Sequence, residues 1–128
     1  MKIVVSAVLF VILLAYSVCG FAQTARTMEV LTPGNTVTAL TVAKYAPTTG
    51  PQAGQKAIKA LVIITGNTAA WTCDGTTPTQ TGGTDVAMQT PANGAFELNG
   101  YHDISAFRVV DATASSACKV RVTYFFEQ

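Results

Sequence analysis

The sequence is poor in charge and in histidine, and each shortage narrows what the chain can do. Only 12% of its 128 residues are charged, about half the share of roughly 25% usual for a globular domain. Eight Lys and Arg stand against seven Asp and Glu, for a formal net charge of +1. So even a balance argues against nucleic acid as a partner, which calls for a clustered basic face. A triad would have to join the single histidine, His102, to Ser105, Ser115 or Ser116. No Gly-x-Ser-x-Gly elbow exists, and adjacent Asp103 cannot orient the imidazole and also leave room for a serine. His102 reads instead as a polar turn residue. The acids are scattered over strand ends and turns, whereas glycoside cleavage needs two carboxyls facing across a cleft. Gly50 to Lys56 lacks the Lys-Ser/Thr pair of a phosphate loop and contains Pro51. Lys44, Lys56 and Lys59 flank one loop as solvated lysines. Asp74 and Asp85 lack the spacing of a calcium loop. No enzyme activity, metal or cofactor is expected.

What is abundant is apolar. After Lys2, the run from Ile3 to Val18 ends in small residues, with Gly20 and Ala22 placed for cleavage before Gln23. One positive charge, an apolar stretch and a small-residue cut describe a secretory signal peptide over residues 1–22. The alternative is an uncleaved membrane anchor, since about 20 apolar residues span a bilayer. Cys19 is preceded by Tyr16-Ser17-Val18, a poor lipobox. Loss of Lys2 with the leader leaves seven basic and seven acidic residues, so the expected mature domain, residues 23–128, is neutral. Near-zero net charge favours association. The remaining cysteines, Cys73 and Cys118, read as a disulfide in an exported chain. Closing their loop would contribute up to about 4 kcal/mol on the chain-entropy model.

Beyond the leader, no stretch keeps a helical period. Short runs rich in Val, Ile, Thr and aromatics alternate with Gly, Pro, Asn and Asp, the pattern of an all-β sandwich, Ig-like or jelly-roll-like, with about 7–8 antiparallel strands. Strands are expected over Met28–Leu31, Thr36–Ala43, Ile58–Thr65, Ala69–Cys73, Asp85–Met88, Ala95–Leu98, Ser105–Val110 and Cys118–Phe126. Pro33-Gly34 suits a type II turn, and Asn93-Gly94 and Asn99-Gly100 suit turns with positive φ. Cys118, Val120, Val122, Tyr124 and Phe126 share one parity, so they face inward and Lys119, Arg121 and Thr123 outward. Trp71 and Cys73 also share a parity, which brings both sulfurs and the indole into one core. Ala60 to Ile64 is apolar on both parities and reads as a central strand covered on both sides, by the other sheet and by a loop or a neighbouring subunit.

After Cys73, Asp74-Gly75-Thr76-Thr77-Pro78 builds a rigid corner. Asp74 accepts backbone N–H groups ahead of it, Gly75 tolerates positive φ, and Pro78 fixes its own φ. Trp71 to Thr79, then Leu98-Asn99-Gly100, Ala106 to Val110 and Val120 to Tyr124 resemble small structural proteins of tailed bacteriophages. In these, an aromatic strand leads into an Asp-Gly-Thr-x-Pro-Thr turn and the chain ends in a Val-Thr-Tyr strand. The turn is also similar to one in Ig-like modules of chitobiase-type surface proteins. The resemblance implies a virion-associated accessory role, from which a signal peptide departs.

The expectation is a non-enzymatic, exported structural or interaction module of a virion or cell surface, joined to other protein subunits or to copies of itself. It would touch a membrane only through residues 1–22, if these were uncleaved. The alternative is a secreted carbohydrate-binding module using Tyr45, Trp71 and Tyr101 with Asp74, Thr77 and Asn99, since sugar sites pair aromatics with polar groups. A third reading, an inhibitor, would use the loop Tyr45–Gln55.

Overall fold

A computed structural model of the chain describes residues 24–79, 87–113 and 117–127. The expected leader, Cys19 and Asp85 lie outside the described residues. Eight strands form two four-stranded sheets: β1 (Thr24–Leu31), β2 (Thr38–Ala39), β3 (Ala57–Thr65), β4 (Ala69–Thr72), β5 (Met88–Thr90), β6 (Ala95–Asn99), β7 (Arg108–Asp111) and β8 (Lys119–Phe126). One sheet runs β1-β8-β3-β6 and the other β2-β7-β4-β5. Every pairing is antiparallel. The chain is thus all-β in its described part, with first strand against last, second against seventh, third against sixth and fourth against fifth.

The alternation that predicts β8 also sets its packing. Val120, Val122, Tyr124 and Phe126 are buried, while Lys119 and Arg121 are exposed. Ala60, Val62 and Ile64 of β3 face them within the core, and Leu40, Leu98, Ile104, Phe107 and Val109 complete it. Trp71 joins this core at 8% exposure. Its ring stacks on Phe96 at 4.1 Å between centroids and 6° between planes. Its indole N–H donates to the Thr90 hydroxyl at 2.9 Å.

Within the chain β4 is covered on both sides, its four residues all being buried. Ala70 packs outward with Val110 and Ala112, and Val37 and Ala87 lie against them; Leu61 and Ile63 on the outer side of β3 stay half-buried. Four expectations are corrected. Two short helices interrupt expected strands: α1 (Val42–Tyr45) replaces the end of Thr36–Ala43, and α2 (Tyr101–Ala106) the start of Ser105–Val110. Arg108 makes α2 possible by donating to the carbonyls of Ser105 at 3.1 Å and Phe107 at 2.8 Å, groups that a helix end leaves without partners. Gly34 does not take the positive φ of a type II turn, whereas Asn93 at 66° and Gly100 at 89° do turn with positive φ.

The fourth correction concerns the cysteines. Cys73 and Cys118 are both free thiols, so the expected bridge is not formed. The register gives the reason. Cys73 follows Thr72, which pairs with Arg108 at the start of β7. Cys118 donates its amide to the carboxylate of Asp111, at the end of β7, at 3.0 Å. Three extended residues separate these points, roughly 10 Å at ~3.3 Å per residue. A disulfide needs Cα atoms within about 4.4–6.8 Å. Equal parity placed both sulfurs on inward faces but at opposite ends of the sandwich.

Candidate functional site

The side chains proposed from sequence as a ligand site do not converge. Trp71 is spent in the core, with one face covered by Phe96, and Phe107 packs beside both rings, 5.8 Å from Trp71 and 6.1 Å from Phe96. That removes the aromatic platform a sugar would need, for the same burial that makes Trp71 a good core residue. Asp74 and Thr77 are exposed at the corner after β4. Asp74 Oδ1 accepts from the Thr76 amide at 2.9 Å and from its hydroxyl at 2.6 Å. These bonds stabilise the carboxylate and hold its pKa below the usual range. Gly75 turns at φ 83° and donates to the carbonyl of Ala106 at 3.1 Å, which fixes the corner against α2; Pro78 is buried behind it. Asn99 is exposed at the end of β6, opposite Lys59.

Only Tyr45 and Tyr101 meet, at 5.9 Å between centroids. Lys56 Nζ lies 4.4 Å above the Tyr101 ring, and Lys59 pairs with Glu97 at 2.8 Å. The three lysines of the sequence-level cluster therefore serve three separate surroundings. No triad forms from the described residues: His102 Nδ1 faces Asp103 at 3.5 Å, and the Ser105 hydroxyl donates to the His102 carbonyl at 2.9 Å. Ser115 and Ser116 lie outside the described residues. Among the described residues no group of three or more His, Cys, Asp or Glu could hold a metal ion.

A different arrangement emerges beside β1. Tyr45 is buried and packs 6.2 Å from Tyr124. The Tyr124 hydroxyl donates to Glu29 Oε1, which also accepts the Thr41 amide at 3.2 Å. Burial, then the bond to Glu29, pushes the Tyr124 pKa far up, and burial raises that of Tyr45. The Thr27 hydroxyl donates to the Lys44 carbonyl at 2.8 Å. Glu29 and Thr27 thus tie α1 to the inner side of β1. The following loop is closed by the Gly54 amide donating to the Pro47 carbonyl at 2.9 Å. Between loop, α1 and strand runs an open groove of about 490 Å³, lined by Thr27, Lys44, Pro47, Thr48, Thr49 and Gln52 among others. Lys44 is the one charged residue lining it.

The outer side of the same strand is apolar. Met28 is 70% exposed and Val30 61%. Cross-strand pairing extends these into two rows over the sheet: Met28, Thr123, Leu61 and Glu97, then Val30, Arg121, Ile63 and Ala95. Sequence reasoning missed this site because it began the strand at Met28. The signal was present, since Thr27, Glu29 and Leu31 alternate with Met28 and Val30. No protein-family model matches the chain, and no curated protein matches it.

Proposed function

We propose that this chain is a non-enzymatic structural or interaction protein of a virion or a cell surface, exported by residues 1–22 and built into an assembly through its β1-β8-β3-β6 sheet. The observation that carries the reading is the outer face of that sheet, apolar at Met28, Val30, Leu61 and Ile63 and ending in β1, beyond which no further strand lies among the described residues. Exposed apolar surface next to an open strand edge marks an interaction surface or an aggregation hazard. A domain that lives in an assembly turns the hazard into a contact. The strand order supports a further reading of the domain as a jelly roll, in which two sheets wrap as successive hairpins; such rolls occur in viral capsid and lectin domains. That analogy concerns fold, and fold alone does not determine function.

The test is fractionation of the natural source by density gradient, followed by mass spectrometry of the chain. The expected result is co-migration with particles or with the cell envelope, and an N-terminus at Gln23. Recovery only as free protein in the medium would overturn the reading.

A further inference from the structure

We infer that β1 is a self-pairing strand: two copies of this chain join antiparallel along β1, about a two-fold axis at Met28. The inference rests on the assembly reading above and deepens it by naming the contact and the partner.

β1 has β8 on one side and, among the described residues, no strand on the other. Its charged residues are Arg26 and Glu29, it contains no proline and no lysine, and its one register shift against β8 falls between Ala25 and Thr27; from Thr27 to Leu31 the ladder is regular and open to pairing. The strand is two-faced. Met28 and Val30 point out, and Thr27, Glu29 and Leu31 point in. A second copy of such a strand matches it on both faces, as an isologous interface requires. The chain carries a formal net charge of only +1, so little net repulsion opposes the union.

Charge selects the register. An axis at Glu29 would set the two Glu29 carboxylates directly opposite each other, which is destabilising. An axis at Met28 sets Met28 against Met28 on the outer face. On the inner face it places Glu29 of the second copy opposite Thr27. There the groove begins, and Lys44 stands as its one charged lining residue. Lys44 makes no ion pair among the described residues. Glu29 uses Oε1 for Tyr124 and Thr41, which holds the carboxylate at the edge with Oε2 directed to neither of them. Each copy thus offers a fixed anion and an unpaired cation, and the two-fold brings them together twice. The same union carries the two outer rows across into one continuous sheet of eight strands.

Cross-linking reads the register directly. Directly opposed residues in an antiparallel pair have Cα atoms about 4.5–5.5 Å apart, within the reach of a disulfide. In the full chain carrying Cys73→Ser, Met28→Cys is expected to form a covalent dimer under mild oxidation, and Val30→Cys alone is not. Sedimentation of the unmodified chain is expected to show a monomer–dimer equilibrium. Met28→Arg, which sets two cations face to face, is expected to raise its dissociation constant by roughly tenfold or more, and Lys44→Glu by roughly three- to tenfold. Both positions are exposed, so neither change threatens the fold. A bond that forms only when Met28→Cys and Val30→Cys chains are mixed would overturn the register. A chain that sediments as a monomer at all concentrations and never cross-links would overturn the pairing. If such a chain still migrates with particles or cells, the assembly reading stands without the pairing. A dimer that migrates with neither supports the pairing and overturns the assembly reading.

Discussion

The two ends of the sandwich are closed by different chemistry. At one end, Asp111 is completely buried and gathers the loops around β7. Its carboxylate accepts from the amide and hydroxyl of Thr113 at 2.8 and 2.9 Å and from the Cys118 amide at 3.0 Å. Asn67 reaches both Asp111 and Thr113 and caps its own neighbour by accepting the Thr68 amide at 2.9 Å. At the other end, Glu29 also links a strand, a loop and a buried side chain, but from the sheet edge. A groove opens beside it and apolar side chains stand outside it. A buried carboxylate surrounded by backbone donors fixes the fold. A carboxylate at an open edge fixes the fold and leaves a surface for something else. On the proposed reading, the Asp111 end serves stability and the β1 end serves contact.

The sharpest break of this contrast is Asp111→Ala. It removes the acceptor of two backbone donors, the buried amide of Cys118 and the amide of exposed Thr113, and a buried group left unmade costs about 1–3 kcal/mol. A loss of about 3 kcal/mol is expected in urea melts. A loss below about 1 kcal/mol would show that the network is not what closes that end.

Alkali probes the same end next. Burial, with the Asp111 charge beside it, pushes the Cys118 thiol up to about 11. An acid whose folded pKa lies above its unfolded value stays neutral in the fold while the unfolded chain ionises. Its stabilisation is therefore complete below about pH 9 and is lost as pH rises towards about 11. Two pH units correspond to about 2–3 kcal/mol. Melts across that window are expected to show the loss, and Cys118→Ala to show less of it. Gly66→Ala should follow at about 2 kcal/mol. Gly66 turns at φ 83°, and an added Cβ would stand 2.0 Å from the Ala117 carbonyl oxygen.

Sequence periodicity carried most of the architecture because period-two burial is a local property. β8, β3 and β6 were legible from alternation within their own residues. Position along a strand was not, and there the cysteine bridge failed: parity puts Cys73 and Cys118 on inward faces but contains no information about which end of the sandwich each occupies. α2 was hidden for a related reason. Its six residues carry no helical repeat long enough to read, and the carbonyls of Ser105 and Phe107 at its end are bonded by the side chain of Arg108, a residue of the next strand. Trp71 was legible as a core residue, and its inclusion among ligand contacts weighed its chemistry above its parity. The β1 site needed both the strand's true start at Thr24 and the knowledge that β8, at the far end of the chain, takes only one of its sides. No local pattern supplies the second fact.

Tyr124→Phe is the mildest change and the most selective. It keeps the buried ring against Tyr45 and removes only the hydroxyl that donates to Glu29. Glu29 keeps the Thr41 amide, so the carboxylate is not left bare. The expected loss is about 1 kcal/mol, near the net worth of one hydrogen bond. The variant should also resist alkali slightly better than the parent, because a phenol whose folded pKa is raised withdraws stability as pH climbs above its ordinary value, and phenylalanine has no such proton. Hydrogen exchange separates the two ends. Protection is expected to fall at Thr41 and along Thr27 to Leu31, and to hold at Thr113 and Cys118. Equal loosening at both ends would mean that the carboxylate networks form one cooperative unit, and that the division between a structural end and a contact end is wrong.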